Sequence, residues 1–197
     1  MQVLTDIGLS LRPASFVPYI SSTKLILTIM KTNSSQIEEA TAVVMTPQNL
    51  LDHWQGHRRL TRRMIEKFPE DKFFDYSVGG MRPFAALAME MIKMAAPSIS
   101  GIVTGKWTAW EDGEGSNAPK TKAEYLKVWD ETTEQLDTLW PQIAPTRFQE
   151  IDVAFGQWEG TVYWIIMYLI DNEIHHRAQG YVYLRSLGIE PPPFWER

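Results

Sequence analysis

The 197-residue chain has four histidines, and they fall in two places: His53 with His57, and the adjacent His175 and His176. A separation of four puts two side chains on one helical face, a geometry that a metal ion can bridge. Two imidazoles do not close a zinc site, so a third ligand would have to come from elsewhere. His57 falls inside an apolar stripe formed with Leu50, Trp54 and Thr61, and His53 lies on its edge. The second reading of His57 is therefore a buried ring making one interhelical hydrogen bond. The other pair sits in Asn172-Glu173-Ile174-His175-His176-Arg177-Ala178-Gln179. At about 100° per residue, Asn172 and His176 share a face with Ile165, Leu169, Gly180 and Tyr183, with Glu173 on its flank and His175 turned away. Polar groups on such a face are costly unless they hydrogen-bond one another or bind a ligand. Both outcomes are open at this point.

Several chemistries drop out. Glu173 and His176 make a single Glu-x-x-His pair, whereas a di-iron bundle needs two. The His-Glu-x-x-His helix of metalloproteases is absent, as are a Gly-rich phosphate loop and a Gly-x-Ser-x-Gly elbow. No catalytic nucleophile is singled out. The absence of Cys removes disulfides, thiolate catalysis and Cys-ligated zinc. With 19 Lys+Arg against 24 Asp+Glu, the formal net charge of -5 disfavours a nucleic-acid binder with a general basic surface. Hydrophobic residues at 44% and charged residues at 22% suit a globular core rather than a disordered chain. The expectation is a cytoplasmic protein with neither nucleic-acid nor membrane partners.

The elements that must position these residues are helical. Residues 1–29 carry only Asp6, Arg12 and Lys24 as charges and show no sustained periodicity. They read as an extension, or as lying upstream of a true start at Met30, leaving 30–197 as one domain. The Leu25–Ile29 run is too short to span a bilayer, and the Asn33-Ser34-Ser35 sequon reads as coincidence. Thr46-Pro47 marks a helix start, running to about Phe68 before Pro69. A second helix starts at Pro83 with Pro97 as terminator, and a third covers about Lys122 to Trp140. A fourth, from about Gly160 to Leu187, is apolar on every side over Trp164–Ile170 and is expected to be the central one. No hairpin pattern is evident. The long 98–121 connection, with Trp107, Trp110 and a polar run over 111–117, suits a loop that covers a site or crosses the bundle. The Pro191-Pro192-Pro193-Phe194-Trp195 ending reads as a tail laying its two aromatic rings on the bundle. Together these features point to an all-α four-helix bundle.

The Asn172–Gln179 segment, followed by Tyr183-Leu184-Arg185-Ser186-Leu187-Gly188 and a Pro-rich end, resembles the DinB-like (YfiT-like) superfamily over about residues 40–197. The resemblance implies a four-helix bundle with long crossover connections, commonly a homodimer. It also implies one divalent ion, nickel or zinc, held by three His. Here those ligand positions match Glu90, Asn172 and His176, so two of the three imidazoles are replaced. An amide and a carboxylate weaken such a site and shift it towards harder ions. Glu90 and His176 also suit a plain buried acid–base pair. The implied activities are metal-dependent hydrolysis or thiol S-transfer, associated with the stress response. His57, Glu173, Arg177 and Gln179 are the further pocket candidates. The competing reading is a bundle without metal that binds a small ligand or only dimerises.

Overall fold

The computed structural model describes residues 44–110 and 118–197. The expected extension over 1–29, the start at Met30, the Asn33 sequon and the polar run 111–117 lie outside the described residues. Every element below belongs to the unit Met45–Arg197.

Helix α1 is Pro47–Lys67. Thr46 caps it, its Oγ accepting the Asn49 N–H while the Asn49 side chain returns to the Thr46 backbone. Pro47 occupies the first turn, where a missing N–H costs nothing. The short α2, Glu70–Phe73, follows Pro69. Helix α3 is Phe84–Thr104, closed by Gly105 in the left-handed region at φ 69°. Pro97, expected to end it, lies inside it. The helix continues because Ala95, Ser98, Ile99 and Ile102 are all buried, so tertiary burial outweighs the one lost backbone bond. Helix α4, Lys122–Leu139, opens with a capping box between Thr121 and Glu124. Two 3₁₀ turns, Trp140–Gln142 and Pro145–Gln149, lead into a hairpin that the sequence pattern does not reveal. Its strands are β1, Ile151–Ala154, and β2, Trp158–Thr161, antiparallel with Ile151 opposite Thr161. Helix α5 then runs Val162–Ser186 from the Thr161 cap.

Hydrogen bonds fix the directions. Gln55 bonds Asp137, Arg62 bonds Asp130, and Lys122 Nζ donates to the Phe68 carbonyl, so α1 and α4 are antiparallel. Tyr183 OH donates to the Arg82 carbonyl while Asn172 donates to Glu90, so α3 and α5 are antiparallel too. Helices α3 and α4 are neighbours running the same way: Phe84–Ile92 share a core cluster with Tyr125 and Trp129, and Ala95–Ile102 share another with Leu136 and Trp140. Two parallel neighbours require a connection that returns along the bundle, which explains why 105–121 is long. Each of α1 and α3 packs against both α4 and α5, giving a four-helix bundle with a crossover.

Helix α5 is less enclosed than its composition suggests. Trp164 is 48% exposed and Tyr168 51%. The tail also differs from expectation. Pro191 is buried and the Pro192 carbonyl accepts from Tyr181 OH, but Phe194 and Trp195 are both about two-thirds exposed. Among the described residues α3 is the one helix long and apolar enough to cross a membrane, and most of that stretch is buried in the bundle.

Candidate functional site

Helix α5 carries two polar faces, about 100° apart, and each meets a different neighbour. The first holds Asn172, His176 and Gln179 and looks onto α3. There Asn172 Nδ2 donates to Glu90 Oε1 at 3.1 Å, and His176 Nε2 lies 2.8 Å from the same oxygen. Arg82, just before α3, pairs with Glu90 Oε2 at 2.6 Å. His176 Nδ1 is 2.8 Å from Gln179 Oε1, whose amide N–H points at Met81 Sδ. With the amide so assigned, both ring nitrogens face oxygen atoms. The His176 hydrogen bond is the largest influence holding the Glu90 carboxyl down at about 2, with burial opposing it and Asn172 and Arg82 assisting.

The second face holds Glu173 and Arg177 and looks onto α1. Glu173 is 2% exposed and does not line the Asn172–His176 face. Its Oε1 accepts from Thr61 Oγ at 2.6 Å and its Oε2 from Trp54 Nε1 at 3.3 Å. Arg58 and Arg177 stand at 3.9 and 3.8 Å. Burial pushes the Glu173 carboxyl up, while Arg58, Thr61, Arg177 and Trp54 pull it back. Arg58 is anchored on α4: Nε donates to Thr133 Oγ, Nη2 to the Trp129 carbonyl, and its guanidinium lies 4.0 Å from the Trp129 ring centre. Arg177 Nη2 lies 2.9 Å from His57 Nδ1, while His57 Nε2 lies 3.1 Å from Arg197 Nη1 and 3.3 Å from His53 Nε2. Burial, and Arg177 after it, push the His57 ring down to about 3.

The expected site residues thus separate. Glu90, Asn172, His176 and Gln179 come together, joined by Arg82. His57, Glu173 and Arg177 form a core network with Arg58, Thr61 and Trp54. The sequence holds no periodic signal for Arg82, which precedes its helix, although a cation one residue before the Pro83 start could have been noted. Thr61 and Trp54 were legible only as apolar-stripe members. A separate cavity of about 170 Å³ is lined by Met94 of α3, Leu169 of α5 and Phe155 and Trp158 of the hairpin.

For nickel or zinc the donor chemistry of Glu90, Asn172 and His176 is a poor match. Imidazole and amide both converge on one carboxylate oxygen, Asn172 presents its NH₂ group, and the Arg82 cation takes the second oxygen. Among the described residues no three His, Asp or Glu side chains gather as metal ligands. The side chains at this position do not fit such an ion.

The model of the DinB family matches residues 32–197. Among solved structures, a DinB-like protein from Bacillus cereus is similar at a TM-score of 0.57 and 18% identity, over 74% of this chain and 95% of that one. A DinB-like protein from Bacillus subtilis is similar at 0.60 and 19% identity, over 75% and 97%. At these identities the likeness is one of fold. Curated protein sequences give no match.

Proposed function

The chain belongs to the DinB family, and from that premise we propose that its α3–α5 groove is a small-molecule site worked by a proton-carrying Glu90–His176 pair rather than by a metal. One observation carries the reading: His176 Nε2 lies 2.8 Å from Glu90 Oε1 while Arg82 closes the other carboxylate oxygen. The ionised Glu90 carboxylate accepts from His176 Nε2, and Gln179 fixes the ring through Nδ1. Such a pair can pass a proton between Nε2 and a ligand atom that takes the place of Glu90 Oε1 in that bond. Arg82, about half exposed, offers a cation to an anionic group at the mouth. The hydrolysis and thiol transfer implied by the resemblance rely on a metal-bound water or thiol, and this donor set supports proton transfer instead.

Metal content of the purified, untagged protein after exposure to nickel, zinc and manganese, by plasma mass spectrometry, tests the proposal. The expected result is far below one ion per chain for wild type and His176→Ala alike. About one ion per chain, lost in the variant, would overturn it. The acid–base pair also predicts a downfield His176 Nε2 proton signal that moves on Glu90→Gln.

A further inference from the structure

Trp164, Tyr168, Asp171, His175, Ala178, Val182 and Arg185 recur along α5 at alternating steps of four and three. That spacing holds them on one face, within about 100° of arc. All seven are exposed, Trp164, Tyr168 and Val182 by about half. Large apolar groups left in contact with water along one continuous stripe mark a docking surface. The two ends of the stripe differ. At the first, Trp164 and Tyr168 form a stacked pair, with ring centres 5.9 Å apart. At the second, Ala178 and Arg185 line a hollow of about 370 Å³ together with Tyr181, Phe194 and Trp195. The last two rings are themselves about two-thirds exposed.

We infer that this stripe is the interface with a second copy of the chain, packed antiparallel about a two-fold axis that passes at His175. Read backwards, the alternation of four and three matches itself to within one residue. Antiparallel pairing therefore sets Trp164 opposite Arg185 of the second copy, Tyr168 opposite Val182, Asp171 opposite Ala178, and His175 opposite its own counterpart. Charge selects this direction. A parallel pair would lay Asp171 on Asp171 and Arg185 on Arg185, whereas the antiparallel pair puts each guanidinium against an indole and each Asp171 within a turn of the facing His175. Shape agrees with charge. The stacked pair of each copy falls at the hollow of the other, and since a cavity of about 150 Å³ holds one benzene ring, about 370 Å³ has room for two rings. Area is sufficient as well. An aromatic side chain offers ~150–250 Å², so the exposed parts of Trp164, Tyr168, Phe194 and Trp195, with Val182, come to several hundred Å² per copy. Both copies together reach about the 1,000 Å² that a specific interface requires.

Light scattering of the full chain at tens of micromolar is expected to give twice the mass of one chain. The sequence has no Cys, so one introduced thiol reports on its own counterpart alone. His175→Cys should be captured as a covalent dimer by a short bismaleimide, because the axis brings the two copies of that position together. Tyr168→Glu should raise the dimer dissociation constant about tenfold or more. Adding Val182→Lys should recover most of that loss, since the two new charges lie about 21 Å apart along their own helix and meet only across the antiparallel pair. A chain that stays monomeric overturns the inference, whether the stripe is then bare or held by a different partner. So does a dimer whose His175→Cys form is not captured, which would place the interface on another face. A Tyr168→Glu chain that dimerises as wild type does, or a double variant that recovers nothing, overturns it too.

Discussion

Burial and the Arg177 guanidinium disfavour the charged form of His57, so its ring stays neutral well below the ordinary histidine range. Its folded pKa of about 3 lies below the ordinary 6.5, so between those values the unfolded chain binds a proton that the folded chain refuses. This contribution to stability is complete above 6.5 and is lost as pH falls towards 3. His57→Gln is expected to flatten that slope, read from urea midpoints between about pH 7 and pH 4. Glu90 acts with the same sign in a lower window, its carboxyl held at about 2 against 4.5. Its stabilisation is whole above 4.5 and lost as pH falls to 2, and Glu90→Gln should remove that acid limb while leaving the histidine window in place. The two windows separate the two polar faces of α5 by titration.

Helix contacts are decided by a few close approaches. Gly180 on α5 leaves room for the Phe84 ring of α3, and a Cβ there would fall inside contact distance of that ring. Phe84 cannot retreat: it stacks on Phe68 at 4.5 Å and meets Phe73 edge-on. Gly180→Ala is therefore expected to cost about 1–3 kcal/mol in urea denaturation, despite the better helix propensity of alanine. Thr46→Ala removes the α1 cap and should cost about 1 kcal/mol. Pro97 gives the opposite sign. Its ring brings no N–H to the ladder of α3, so Pro97→Ala is expected to raise the thermal midpoint.

At the scale of the whole molecule, one carboxylate ties three helices. Glu173 on α5 is bonded to Trp54 and Thr61 of α1 and flanked by Arg58, which is itself anchored to Trp129 and Thr133 of α4. Removing the carboxylate leaves two buried guanidinium groups without their counter-charge. Glu173→Ala is expected to cost about 3–5 kcal/mol, measured by denaturant unfolding. Adding Arg58→Met and Arg177→Leu should recover part of that loss, because the cost comes from the stranded charges. The three substitutions would then be strongly non-additive.

The helices, their caps and the shared face of Asn172 and His176 follow from the sequence by itself, because helical periodicity and capping are set by covalent geometry within a few residues. The match of Glu90 to that face came from the resemblance, and the structure brings it there across the bundle. Other features had no local signal. Glu173 sits one residue from Asn172, and only the packing of α5 between α1 and α3 determines that the two point at different partners. The hairpin strands bury almost nothing in alternation, Ile151 being 69% exposed, so no period of two announces them. Pro97 reads as a stop until the burial on both sides of it is seen. Glu90 and His176 gain their meaning from each other across the bundle, 86 residues apart in the chain. Spacing along one helix is local physics; which neighbour a side chain meets, and with what charge, is fixed only when the four helices close on one core.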